Sequence, residues 1–513
     1  MPPRTDPAPR ASSMPCTDGA GRPARQGKTG STRMHGSMAP QTTHDRRRSM
    51  NQNPHSPHRP GAPAPSSQPA SSCWPATSVR PATFCRPALR PLAALLLGTA
   101  LLGNAQAGAP IKWQKPGWDF LPRISLEYDR LKNRDLRGSG ERTKSDTVPE
   151  FRLVSRYQHD SRWGFVGDFE LYESIERETG SPTDRQTRLE VTQLFAEAQL
   201  QEYGARARLG RWSIDDERTW FFDTQFDGLN ATLDYGPYQL DTFVARYSNW
   251  RSDLFNRHTK HEKGADVVGA LGTWWMTEDH KIILKGLHQE EDNDDLRLTH
   301  VAGGSLNEGD PHLQHWAMAS YVSGKEKGRR VRGEAIDLGA TLFLDDRSGW
   351  SPRATLGYAW GSGDDGEGVD TSHHQTGWQS NKSYMGAEID FKTYGTVLDP
   401  QLSNIHVLTA GVGITPMKKS SLDLVFHHYR QDKTTELTRT DLRPRADLQD
   451  RRTLGNGIDL VWGWKPTKEW KIQAYTGMFM PSGRFRASSR DGAGKSSNAW
   501  AAGFEVKYYP GRK

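Results

Sequence analysis

The 513-residue chain has only three cysteines, Cys16, Cys73 and Cys85, and none after them. Anything that folds beyond Cys85 therefore has no disulfide, no thiolate metal site and no cysteine nucleophile. Long apolar runs are almost as scarce. The one sustained run is Arg90 to Asn104 (RPLAALLLGTALLGN), fifteen residues, too short for a hydrocarbon layer of ~30 Å. Arg86 and Arg90 lie on its near side and Ala105-Gln106-Ala107 closes it, which is the pattern of a cleaved secretory signal peptide within 79–107. The mature N-terminus is then Gly108. No lipobox cysteine stands at the cleavage point, which argues against a lipid anchor by that route.

Residues 1–78 are rich in Pro, Arg and Ser and carry no periodic apolar pattern, so they read as a disordered leader or a misassigned translation start. The formal charge of +7 belongs to this end. Residues 1–107 hold 13 Lys and Arg against 3 Asp and Glu, and the remaining 406 residues carry 55 basic and 58 acidic side chains, about −3. No basic nucleic-acid motif survives, which excludes nucleic acid as a partner.

Catalytic signatures are missing too. There is no G-x-S-x-G, and His261-Glu262 lacks the second histidine of a zinc helix. His373-His374 and His427-His428 would alternate faces on a strand, so neither pair clamps a metal. The sequence points to no enzyme.

What is present, along the whole of 108–513, is two-residue periodicity in segments of about ten residues. Ile124, Leu126 and Tyr128 alternate with Arg123, Ser125 and Glu127; Ile336, Leu338, Ala340 and Leu342 with Asp337, Gly339 and Thr341; Trp500, Ala502, Phe504, Val506 and Tyr508 share one face. Polar positions carry full charges, among them Arg152, Arg156, Arg206, Arg208, Asp459 and Lys471, which the dry core of a soluble sandwich would not accept unpaired. Short turns (Gly236-Pro237, Thr277 to Asp279, Pro416 to Lys419, Pro466 to Lys468) alternate with long polar loops (131–147, 248–263, 431–453, 481–496). Aromatics cluster beside the turns, as at Trp274-Trp275, Trp462 to Trp470 and Tyr508-Tyr509.

These features predict an all-β fold: a monomeric transmembrane antiparallel barrel filling 108–513, with short periplasmic turns and long extracellular loops. About 22 residues per strand and connection give roughly eighteen strands. Between 290 and 404 the alternation of links breaks down, leaving the count open there and room for an inward-folded loop.

A barrel of that size encloses an aqueous channel unless plugged. The positions read as inward are rich in arginine: Arg123, Arg152, Arg156, Arg206, Arg208 and Arg246, joined later by Arg353, Lys465 and Lys471. Rings of such side chains select anions. The alternative is that they pair with Glu127, Asp129, Glu150 and Asp168 and merely stiffen the wall. Two acidic stretches, Glu290 to Asp295 and Gly363 to Gly368, offer Asp364, Asp365 and Glu367 as calcium ligands, without EF-hand spacing; a solvated loop is the competing reading. No other cofactor is indicated.

Three stretches carry a family resemblance: Gly210-Arg211-Trp212 with Asp215-Asp216-Glu217-Arg218; LGYAWGSGDD (Leu356 to Asp365); and LDPQLSNIHVLTAGVGITP with SLDLVFHHYRQD (Leu398 to Asp432). They resemble the bacterial alginate export porins over essentially all of 108–513. The resemblance implies an eighteen-stranded outer-membrane barrel with an electropositive constriction partly covered by an extracellular and a periplasmic loop. It would pass the polyuronate alginate outward by facilitated diffusion, working with periplasmic and inner-membrane secretion components. It adds Arg211, Asp215 and Asp216 to the pore-lining candidates. The competing function is a general or small-anion porin. Two features depart from the family: the ending Tyr508 to Lys513 in place of a terminal aromatic, and the 1–78 leader.

Overall fold

The computed structural model describes residues 117–512 apart from 138–140, 249, 251, 257–263, 292–294, 345–348, 367, 435–439, 443–451 and 483–496. The leader, the signal peptide, His261, Glu262 and Glu367 lie outside the described residues.

Among the described residues twenty strands form: β1 (Gly117–Lys132), β2 (Thr143–Gln158), β3 (Trp163–Glu178), β4 (Asp184–Leu200), β5 (Ala205–Asp215), β6 (Asp223–Tyr235), β7 (Tyr238–Tyr247), β8 (Ala265–Trp275), β9 (His280–Glu291), β10 (Leu296–Asn307), β11 (Leu313–Glu326), β12 (Arg329–Phe343), β13 (Arg353–Gly361), β14 (Lys382–Ser383), β15 (Phe391–Lys392), β16 (Ile405–Ile414), β17 (Ser420–Arg430), β18 (Thr453–Trp464), β19 (Trp470–Pro481) and β20 (Ala499–Tyr508). Eighteen make one antiparallel sheet in chain order, and β20 pairs back onto β1 from Ile124↔Tyr508 to Lys132↔Trp500, closing the barrel. β14 and β15 are a separate two-stranded piece. No helix among the described residues is long and apolar enough to cross a membrane, which says nothing about strands.

The period of two sorts the side chains inside out. Leu209, Leu284 and Leu356 are more than 60% exposed, whereas Arg152 is 4% exposed and Asp168 fully buried. An apolar exterior around a charged interior is stable only where lipid covers the outside. Links of two to nine residues, such as Gly236-Pro237 and 465–469, lie at the end where β1 begins and β20 finishes. That end carries an aromatic girdle: Trp118 contacts Tyr157 (4.9 Å between centroids), Trp470 contacts Tyr508 (4.6 Å) and Tyr238 contacts Trp274 (6.1 Å). The long links, 133–142, 248–264, 362–404, 431–452 and 482–498, lie at the opposite end, together with shorter ones at 179–183, 216–222 and 327–328.

Candidate functional site

Two elements leave the wall and fill the lumen. The first is the tip of the β5–β6 hairpin. Pairing of β5 with β4 ends at Leu194↔Arg211 and pairing of β6 with β7 at Asp227↔Arg246, while β5 and β6 stay paired to Asp215↔Asp223, so 212–226 turns inward as a two-stranded tongue. Gly210 permits the turn: its φ is +130° and a Cβ there would strike the carbonyl of Leu194. The tongue is apolar: Trp212, Trp220, Phe221, Phe222 and Phe226 are all buried, with Trp212, Phe222 and Phe226 against Phe243, Phe226 also against Trp378, and Phe221 against His300. The gap it leaves is closed by 252–254, where Val191 donates to the carbonyl of Ser252 (3.0 Å) and Leu254 to that of Leu189 (2.8 Å).

The second element is 362–404, between β13 and β16, the stretch in which the sequence lost its alternation. It folds into the barrel and binds the tongue. The Thr219 carbonyl accepts from Ser380 and Asn381 (3.1 and 3.0 Å), the Thr219 hydroxyl accepts from the Lys382 amide (2.8 Å), and Asp223 donates to the Trp378 carbonyl (2.6 Å). Farther along, Thr396 donates its amide to Asp459 (2.9 Å) and the Tyr429 hydroxyl donates to the Tyr394 carbonyl (2.9 Å). Apolar side chains of the segment, including Ile389, Val397, Leu398 and Leu402, are buried with those of the wall in one cluster. The barrel interior is thus packed on the β6 to β18 side.

Charged groups line what lies between this packing and the β1–β5 and β19–β20 wall. Arg123 binds Glu150, and Arg152 binds Asp168 and, at 2.8 Å, Glu170. Arg208 binds Glu197 at 2.7 Å and Arg206 donates to the Thr232 hydroxyl at 3.3 Å. A lysine group stands where the inward segment meets β19 and β20: Lys471 binds Asp390 (3.1 Å), Lys507 binds Glu505 (2.6 Å), and Lys471 and Lys507 are cross-strand partners. Burial works against the charge of Lys382, but the fields of Asp390, Asp223, Glu127 and Glu505 outweigh it and raise its pKa. Burial likewise opposes ionisation of Asp390, and Lys471 and Lys382 overcome it, holding that carboxyl well below the usual range.

Arg123, Arg152, Arg206, Arg208, Arg353 and Lys471 have the inward placement read from the sequence, and Lys465 pairs with Glu388 of the inward segment at 3.4 Å. Arg353 is locked to Asp423 (2.5 Å). Arg156 shares the phase of Arg152 but is exposed, near the short-turn rim. Arg246 is a correction. It shares a face with the lipid-facing Leu240 and Val244 and binds Asp266 (2.7 Å), because Phe243 and Tyr247 take the inward phase of β7. Arg211 sits at the root of the tongue, bidentate on Asp227 (2.7 and 2.8 Å) and stacked 3.9 Å from the Trp250 ring centroid. Asp216 accepts from Lys285 (2.6 Å) and from the amides of Phe221 and Phe222, so it shapes the tongue. Asp215 is exposed, in the last ladder pair before the tongue's tip, opposite Asp223. Asp364 binds Arg329 (2.7 Å) and Asp365 is exposed; among the described residues no three His, Cys, Asp or Glu side chains are placed to hold a metal.

The parity argument missed Lys382, Asp390 and Tyr394, because they lie on a segment without strand periodicity. The signal for them was the broken alternation itself.

The barrel is similar in fold to three solved Pseudomonas aeruginosa proteins. They are OccK5 (OpdH) (9% identity, 76% of this chain and 98% of that one, TM-score 0.49), OccK11 (OpdR) (12%, 78% and 99%, 0.48) and the outer membrane protein OprD (12%, 79% and 97%, 0.48). No curated protein matches the sequence. The alginate export family matches residues 121–498. A match over most of the chain, joined to a closed eighteen-stranded barrel with a lipid-facing exterior, places this protein in the alginate export family as an outer-membrane channel.

Proposed function

We propose that the barrel, one chain per pore, passes the polyuronate alginate outward across the outer membrane by facilitated diffusion. The observation that carries this reading is the Lys382, Lys471 and Lys507 group where the inward segment faces β19 and β20, with its carboxylates Asp390 and Glu505. Lys471 and Lys507 each hold a carboxylate and Lys382 lies in the field of Asp390, so a carboxylate of a passing uronate competes for cations that are already shared. Exchange of this kind gives many weak sequential contacts, which a moving polymer needs because one tight site would stall it. An outer membrane offers no local energy source, so the push comes from synthesis and from periplasmic and inner-membrane components behind the chain.

The test is single-channel recording with mannuronate oligomers added on the short-turn side. Reversible block that weakens at least tenfold in K382Q/K471Q supports the reading. Indifference of the wild-type current to the oligomers supports a general or small-anion porin instead.

A further inference from the structure

The outer face of β10, β11 and β12 at the long-loop end carries a row of cations that the channel does not use. Arg297 is the cross-strand partner of Lys325, and Lys325 of Arg330. All three lie on the lipid-facing phase, shared with Val301 on β10, Tyr321 on β11 and Leu338 on β12, and all three are exposed. Arg332, two residues on from Arg330 and opposite Ser323, is on the same face and exposed. Glu290 takes Arg297 in an ion pair, and Glu334 stands two residues beyond Arg332. Neither Lys325 nor Arg330 has an ion-pair partner among the described residues. Like charges directly opposite on neighbouring strands destabilise a sheet, and among the described residues Glu290 compensates Arg297 alone, leaving Lys325 and Arg330 facing each other.

The row's height on the barrel indicates where a compensating anion comes from. On β12 the outward apolar series runs from Ile336 through Leu338 and Leu342 to Leu344. Eight residues at ~3.4 Å and a tilt of about 40° span roughly 21 Å, close to the ~25 Å of a barrel's apolar band. Arg332 and Arg330 come four and six residues past Ile336, about 10–15 Å above the band edge, at headgroup level on the extracellular side. Tyr321, an interfacial residue by type, is four residues below Lys325.

We infer that Arg297, Lys325, Arg330 and Arg332 form a binding site for the phosphate of an outer-leaflet lipid headgroup. The guanidinium forks suit phosphate oxygens and Lys325 adds a point charge between them. The site holds the lipid beside the β9–β12 wall, against which the Trp316 and His300 side of the inward packing rests.

The experiment uses the refolded barrel in detergent doped with phosphatidic acid, phosphatidylglycerol or phosphatidylcholine, with lipid retention read by native mass spectrometry. Folding of each variant is checked by heat-modifiable gel mobility. Retention of phosphatidic acid over phosphatidylcholine in wild type, weakened about twenty-five-fold in K325Q/R330Q, is expected, since each surface cation is worth about fivefold towards an anionic leaflet. K418Q/K468Q removes two exposed lysines from the opposite rim and should leave retention unchanged. Equal retention in wild type and K325Q/R330Q, or an equal loss in K418Q/K468Q, overturns the site. So does complete displacement of the lipid by millimolar inorganic phosphate, which would make it a free-anion site.

Discussion

Arg218 Nη2 lies 3.2 Å from Asp337 Oδ2, joining the tongue to β12 in the middle of the barrel. Asp337 also accepts from the Tyr394 hydroxyl (3.1 Å) and the Trp316 indole (2.7 Å), and Arg218 stacks over Trp316. Tongue, inward segment and wall therefore meet on one buried carboxylate.

Removing that carboxylate leaves Arg218, 4% exposed, without its counter-charge. D337A is expected to cost about 3–5 kcal/mol, because a buried charge stripped of its partner is more costly than the pair was favourable. A lowered apparent melting temperature, together with noisier open-channel current, is the expected outcome; unchanged melting would show that the tongue is held elsewhere.

Gly395 has φ +94°, and a Cβ there would meet the hydroxyl of Tyr429. G395A should cost about 1–3 kcal/mol from backbone strain and break the Tyr429 to Tyr394 bond. Proteolysis under native conditions reads the effect, with cleavage within 384–399 expected to quicken. Equal cleavage rates would contradict the packing described.

His374 lies between Asp370 (3.2 Å) and Glu326 (2.9 Å). Burial lowers its pKa, but the hydrogen bonds to the two carboxylates outweigh burial and raise it to about 9. A folded pKa above the unfolded ~6.5 means that the stabilisation is complete below pH 6.5 and is lost as pH rises through about 9. Thermal stability measured from pH 6 to 10 should fall across that window in wild type and stay flatter in H374A. Parallel profiles would remove His374 as the cause.

Much of the barrel was legible in the sequence because a lipid-spanning strand declares its two faces residue by residue, as Ile336 to Leu342 do. Eighteen strands, short links at one end and the girdle at Trp274 and Trp470 follow from that rule; strict alternation does not, because the opposite end also turns in two residues at 327–328 and five at 179–183. Phase fails near strand ends, where Ala245-Arg246-Tyr247 gives no contrast and only packing of Tyr247 on Trp378 decides it. The tongue was unreadable for another reason. Residues 212–226 keep strand periodicity but abandon both neighbours, a choice made by Gly210 and by aromatic contacts more than a hundred residues distant. Pairing of Arg123 and Arg152 with Glu150 and Asp168 was the alternative left open, and it is the arrangement found.

That pairing sharpens what the arginines do for selectivity. Arg152 faces Asp168 and Glu170, so its neutralisation exposes carboxylates as well as removing a cation. R152Q/R156Q/R206Q/R208Q is expected to shift the reversal potential towards cations, and an unaltered anion preference would remove these four from the selective path.

The most direct test of the whole account is the reversal potential of the refolded wild-type channel in a planar bilayer under a salt gradient. An anion-conducting lumen predicts a potential displaced towards the chloride equilibrium value. A displacement towards the cation value would contradict it.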